Sequence, residues 1–436
     1  METKISEKFL YHIWDGLHLK KQLKTVSGKK FEIIFQGRWN TAAGPDFKNA
    51  TLKLDNKIIK GDIEIHQHTY DWKAHKHSED SNFNRVILHA VYQHNSNIDY
   101  TIAEDGKKIE IFTIEKYLNK DIEKLLAKFD AKFTPKDKDC VFFAGMNTKS
   151  LHKTLTHFGE MRMKKKVKRF GAELFFNDFD NVLYQGLLEA FGYSKNKFQM
   201  LQLAQEINYN NLSKFKTQKM TQHELYAILL CSSGLVNHLP KTFPGELIKK
   251  WKELYAKQDF CHKEIALNWN LFRIRPANNP AIRLLQFANI VYHYLDLSLF
   301  HQMLKIFSFQ SKKITKKQLY KNIESFFNIR IDFLPDYYRI GKTRMNVIFI
   351  NILLPLAILY AQKKDYKDLE NICFSIYQSF KKLPENYITK FMYNFMTAKQ
   401  SKTAKKKAIY QQGLLKLYFE FCQHHNCDLC KNLEIL

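Results

Sequence analysis

The stretch of residues 44–66 constrains this chain more than any other. Two runs of alternating apolar and polar residues flank a tight turn at Asp55-Asn56-Lys57, which predicts a β-hairpin. Pairing Asp55 with Ile58 puts Ala50, Leu52 and Leu54 on one face with Ile59, Ile63 and Ile65. A slip of one residue would mix those sets, so the apolar face fixes the register. The other face carries Asn49, Thr51 and Lys53, with Lys60, Asp62, Glu64 and His66 from the second strand. Glu64 and His66 are two residues apart and point the same way, about 6–7 Å from each other along the strand. Asp46 follows a Gly-Pro turn that leaves its carboxylate free to join them. Two carboxylates and an imidazole above one spot of a sheet suit a hard divalent cation and a water nucleophile.

The flanking sequence predicts a small α/β module. Residues 5–17 read as a helix with Ile5, Phe9, Leu10, Ile13, Trp14 and Leu17 on one face. Residues 31–36 read as a strand, 86–92 as a buried strand and 99–114 as a further small hairpin. A polar segment with His75 and His77 separates the main hairpin from the buried strand. Beyond residue 115 strand alternation gives way to helical spacing, as in Leu183, Leu187 and Phe191 before Gly192. The expected fold is α+β: a module over 1–115, then a large all-α domain over 116–436 with a Cys-rich C-terminal tail.

Pro45-Asp46 followed across the hairpin by Glu64-Ile65-His66 resembles the PD-(D/E)xK nuclease superfamily, with His66 where that pattern has lysine. The resemblance implies a restriction-endonuclease-like αβββαβ module in which Asp46 and Glu64 bind Mg²⁺ or Mn²⁺. It also implies an accessory acid on the first helix, here Glu7, for which a solvated glutamate favouring the helix dipole is the other reading. The carbonyl of Ile65 is a natural extra ligand, and a neutral His66 can take or orient a water proton. Asn49, Asp62 and His75 are further accessory candidates. The polar outer face of an ordinary antiparallel sheet would show the same alternation and stays open as the alternative. His66, His68, His75, His77 and His89 form an alternative, transition-metal donor set. Over essentially its whole length the chain resembles a bacterial family known only as a domain of unknown function. Residues 40–47, 61–66, 71–72 with His75 and Asp80, 86–89, 189–192, 272–280 and 412–430 carry that likeness.

Charge bears on partners. Lys plus Arg outnumber Asp plus Glu by 69 to 43, a net charge of +26 that attracts polyanions. Nucleic acid is the expected partner, DNA before RNA, although a Lys-, Asn- and Ile-rich composition also follows from an AT-rich genome. Arg273, Arg275 and Arg283 cluster around a helix start at Asn278-Asn279-Pro280 and predict an anion site. Internal pairing with carboxylates is the other reading of those arginines. Basic runs at 164–169, 312–317 and 405–407 read as solvated helix faces.

Cys422-x4-Cys427-x2-Cys430 has the spacing of a structural metal site. It would take Zn²⁺ with His424 or His425, or an iron–sulfur cluster with a distant cysteine such as Cys373. Free, partly buried thiols are the alternative. Seven cysteines with no apolar N-terminal segment predict a reducing cytoplasm. The apolar run 347–360 is interrupted by Asn351 and Pro355, which predicts a buried, kinked helix and no membrane span. The chain contains no Walker loop, dinucleotide-binding glycine pattern or Gly-x-Ser-x-Gly elbow, which argues against an ATPase, a nicotinamide enzyme and an α/β-hydrolase. The expected function is a metal-dependent, nuclease-like phosphodiesterase acting on nucleic acid. The rival is a non-catalytic nucleic-acid-binding protein with a degenerate nuclease fold.

Overall fold

A computed structural model describes residues 7–40, 43–119, 140, 142–217, 219–257, 265–308, 314–424, 427 and 430. The structure is mixed α+β, with a sheet-rich N-terminal region and a large helical region. By compactness the chain divides into one unit of residues 1–175 and 385–436 and a second unit of residues 176–384.

In the first unit, helix α1 (Glu7–Gly16) buries Phe9, Leu10, Ile13 and Trp14. The strands are β1 (Leu23–Lys24), β2 (Lys30–Phe35), β3 (Arg38–Trp39), β4 (Phe47–Leu54) and β5 (Lys57–His68). After the short helix α2 (Asp71–Ala74) come β6 (Val86–Gln93), β7 (Tyr100–Ile102) and β8 (Lys108–Thr113). They form one sheet in the order β1-β2-β4-β5-β6-β8-β7, with β3 paired to β4. β2, β4 and β5 run as an antiparallel meander, and the crossover containing α2 returns β6 parallel to β5.

The main hairpin pairs Leu54 with Lys57, Leu52 with Ile59 and Ala50 with Gly61. The turn is therefore the two residues Asp55-Asn56, with Asp55 at φ +49°, and not three. Pairing is displaced by two residues from the expected register, which conserves parity and so keeps the predicted faces. A bulge then changes parity. Phe47 pairs with Ile63, and Asn49, at φ +56°, is the extra residue. Phe47 thereby joins the apolar face, and Asp46 moves to the side of Glu64. Asp62 clasps the bulge, accepting the Asn49 N–H at 2.8 Å. One glycine is obligatory here: a Cβ on Gly61 would sit 2.5 Å from the Arg85 carbonyl oxygen, where β5 closes on the start of β6.

The last strand ends at Thr113, near the expected boundary, but the compact unit runs on. Helix α3 (Thr148–Glu173) is capped by Asn147, which accepts the Ser150 N–H. The C-terminal helix, Ala408–Glu420, approaches α3 backbone to backbone. A Cβ on Gly413 would lie 2.3 Å from the Leu155 carbonyl, and one on Gly159 2.5 Å from that of Ile409. This contact also corrects the reading of 164–169 as a solvated face. Lys165 pairs with Asp15 of α1 and Lys166 donates to Gln412 at 2.6 Å, while Lys164 and Lys168 stay exposed. Long lysine stems lie along packed surface while their ammonium groups find polar partners.

The second unit is helical. Its α4 (Phe179–Phe191), α5 (Lys197–Glu206) and α6 (Pro280–Tyr294) matter below. Asn279 caps α6, accepting the Ala281 N–H at 2.8 Å, with Pro280 in the first turn. The apolar run lies in the helical segment Asp336–Lys364, which contains a π-helical turn at Phe349–Leu353. Among the described residues this is the one helix long and apolar enough to cross a membrane, and 72% of its most apolar window is buried.

Candidate metal centre

The approach to Asp46 is held by Asn40, whose side-chain amide donates to the carbonyls of Ala43, Gly44 and Pro45 at 3.2, 3.3 and 3.0 Å. Across the bulged ladder the Asp46 N–H donates to Glu64 Oε2 at 3.1 Å, and the Ile65 N–H donates to Asp46 Oδ2 at 3.0 Å. Tyr11 of α1 hydrogen-bonds the Asp46 side chain. Burial, then the neighbouring Glu64 charge, pushes Asp46 up to about 8, and burial does the same to Glu64. Glu7, itself raised by burial, is close enough to raise both.

The other oxygen of Glu64 faces imidazoles. Glu64 Oε1 lies 3.4 Å from His66 Nε2 and 3.3 Å from His77 Nε2. His66 Nε2 lies 3.3 Å from His77 Nε2 and 3.1 Å from His75 Nδ1. The donor atoms of His66, His75 and His77 all fall within 4.8 Å of one another. One nitrogen cannot satisfy two nitrogens and a carboxylate oxygen with the single proton it can carry. A tetrahedral ion with ligands at about 2.0–2.1 Å holds its donor atoms about 3.3 Å apart, close to these four of the six separations that four ligands have.

Local sequence turns these rings to a common point. His66 occupies the polar face of β5. Lys76, at φ +58°, reverses the backbone between His75 and His77, so residues two apart in a loop converge. The His77 ring stacks on Phe83 at 3.8 Å and meets the edge of Trp72 at 5.3 Å. His66 Nδ1 lies 2.9 Å from Nε2 of the fully buried His89 on β6, which fixes the outer side of the ring. Burial and adjacent imidazoles push His66 down to about 2 and His89 to about 3, and burial lowers His77. Lowering of this kind favours the neutral form of His66, His77 and His89, the state in which a histidine nitrogen offers a lone pair.

Of the residues singled out in sequence, Asp46, Glu64, His66 and His75 come together, with Glu7 as their electrostatic neighbour. Ile65 faces the apolar side with its side chain 1% exposed. Asn49 and Asp62 build the bulge together with Arg85, whose Nη2 donates to Asn49 Oδ1 at 3.3 Å. His68 is half exposed beside Asp71 and takes no part. The principal residue underrated in sequence is His77, with Tyr11 and His89 behind it; the signal was a His-Lys-His triplet in a polar loop.

The other predicted positions lie apart. Arg273 and Arg275 line a pocket of the second unit, and Arg283 is buried at 3% exposure. In the tail, burial raises the Cys422 thiol to about 12 and also raises Cys430, with Cys140 and Cys427 as charge neighbours of both. Cys140 is thus a thiol near the tail; Cys373 is buried in the Lys367–Ser379 helix of the second unit. The side chain of His424 and all of His425 lie outside the described residues.

A family model described as "Protein of unknown function (DUF2851)" matches residues 7–386. No curated protein and no solved structure matches the chain.

Proposed function

The chain belongs to that family, whose description carries no activity, and from its own residues we propose a metal-dependent hydrolase that cleaves phosphodiesters in nucleic acid. The observation that carries this reading is the convergence of the His66, His75 and His77 nitrogens, two of them, on His66 and His77, also meeting Glu64 Oε1 at 3.4 and 3.3 Å, beside a second carboxyl, Asp46. The donor set of three nitrogens and one oxygen fits Zn²⁺ or Mn²⁺ better than Mg²⁺, which favours oxygen ligands. Glu64, His66, His75 and His77 would hold the ion. Only with a fifth position open to solvent would it acidify a water and neutralise charge on a phosphate.

The remaining steps belong to the chain. Asp46, held by the Ile65 N–H and the Tyr11 hydroxyl, takes the proton of the attacking water. The water oxygen bonds to phosphorus as the ester P–O bond breaks, and the leaving oxygen takes a proton from solvent water, to which Asp46 returns the one it accepted. His89 acts on His66 as a positioning residue. The net charge of +26 favours a polyanionic substrate. Support for a nuclease-like module comes from the strand order, a three-stranded antiparallel meander followed by a crossover to a parallel strand. A separate structural metal, Zn²⁺ or an iron–sulfur cluster, is proposed at Cys422, Cys427 and Cys430 on their spacing alone.

The test is cleavage of single- and double-stranded DNA and RNA by metal-stripped protein resupplied with Zn²⁺, Mn²⁺ or Mg²⁺, beside Asp46→Asn and Glu64→Gln. Metal-dependent cleavage lost in both variants supports the proposal. Salt-sensitive binding without cleavage, indifferent to metal and to Asp46, supports the non-catalytic rival.

A further inference from the structure

The second unit carries a cationic pocket of about 230 Å³ that is independent of the metal centre. Its lining includes Tyr193, Lys195, Asn196, Arg273, Arg275 and Asn278, and contains no carboxylate. Two loops build it, the α4–α5 connection and the segment before α6, and they are laced together. Asn196 donates to the Asn270 carbonyl at 3.0 Å and accepts the Asn270 N–H at 2.8 Å. Lys195 Nζ donates to the Phe272 carbonyl at 2.7 Å. Both loops hold a non-glycine residue in left-handed backbone, Tyr193 at φ +55° and Arg273 at φ +51°. Such conformations persist where the surroundings over-determine them, and they cluster at binding sites.

Behind the lining the charge is uncompensated. The guanidinium of Arg344 lies 3.9 Å from the Tyr193 ring centre, and that of Arg283 lies 5.2 Å from it. Arg283 is 3% exposed and donates to Asn278 Oδ1 at 3.1 Å, and its Nε has no partner. Arg344 donates to the Ala190 carbonyl, and its Nε likewise has none. Among the described residues none of Arg273, Arg275, Arg283 and Arg344 makes an ion pair within this unit. Buried cations without a counter-charge are costly, and a bound anion removes that cost.

We propose that this pocket binds a phosphomonoester. Exposed Arg273 and Arg275 supply planar forks that match phosphate oxygens, Lys195 and Ser194 flank them, and the buried arginines set the field. The volume corresponds to about eight waters at their liquid share, so the phosphate arrives on a larger body. A free nucleotide and the 5′ end of a nucleic-acid strand share that chemistry.

The test is calorimetric titration of the full chain, at fixed ionic strength, with four probes. These are thymidine, thymidine 5′-monophosphate, and a short oligothymidylate with either a 5′-phosphate or a 5′-hydroxyl. The phosphorylated member of each pair should bind at least about tenfold tighter, and Arg273→Gln and Arg275→Gln should each erase that preference. Both arginines are exposed, so circular dichroism should show the variants folded. Equal binding of the two phosphorylated probes identifies a small-molecule ligand; tighter binding of the phosphorylated oligonucleotide identifies a strand end. No binding, no preference for phosphate, or a preference that survives both substitutions overturns the proposal. Loss of the metal centre, as in Glu64→Gln, leaves the preference intact, so the two readings stand or fall separately.

Discussion

The N–H of Asp46 donates to Glu64 Oε2 at 3.1 Å, so the two buried carboxyl residues are fastened through backbone as well as set side by side. That fastening depends on the bulge at Asn49. Without the extra residue, Asp46 would share the apolar side with Leu52 and Ile65, and only Glu64 would face the imidazoles.

Replacing Asn49 with valine should therefore cost about 1–2 kcal/mol, because a β-branched side chain resists φ +56°. Asn49→Gly should stay within about 0.5 kcal/mol of the parent. Urea unfolding measures both, and equal stability of the valine and glycine variants would contradict the bulge as the determinant.

His89→Phe fills a similar volume but removes the nitrogen 2.9 Å from His66 Nδ1. It should weaken metal binding by about 10–100-fold while leaving the protein folded. Competition with a chromophoric chelator reads the affinity; parent-like affinity would mean that His89 is mere filling.

Gly413→Ala presses a methyl group against the Leu155 carbonyl, 2.3 Å from its ideal position. Overpacking of this kind costs about 1–3 kcal/mol, and the loss should appear as a lower Tm of the first unit. An unchanged Tm would show that the two helices part freely.

The pair of Asp15 and Lys165 gives a pH signature. Burial alone would raise Asp15, but Lys165 and Lys416 outweigh it and hold the carboxyl below its ordinary value. A depressed carboxyl contributes stability that is complete above the unfolded value, about 3.9, and vanishes as pH falls through the folded one. Asp15→Asn should cost about 3 kcal/mol at pH 7, since it leaves Lys165 unpaired. The gap from the parent should narrow below about pH 4. A gap that is constant from pH 7 to pH 3 would contradict the pairing.

The parts of this architecture legible in sequence are those that local periodicity controls. Alternation in residues 50–54 and 59–65 gave the hairpin faces even though pairing is displaced by two residues, because parity survives such a shift. The bulge was hidden, since an asparagine in a strand reads as one more polar position until its φ is known. The His75 and His77 rings meet only because Lys76 is left-handed, a choice that no periodicity encodes. The assignment of α3 and the C-terminal helix to the sheet's unit was equally invisible. It depends on Gly413 closing on Leu155 and Gly159 on Ile409, partners far apart in sequence that meet only in the fold.

The central claim is that Glu64, His66, His75 and His77 surround one ion. Crystals of metal-stripped protein soaked in Zn²⁺, with anomalous diffraction collected on both sides of the zinc edge, test it most directly. The expected result is one peak about 2.0–2.2 Å from Glu64 Oε1, His66 Nε2, His75 Nδ1 and His77 Nε2, absent in His77→Ala crystals. No peak among those atoms, or a peak that survives the substitution unchanged, would contradict it.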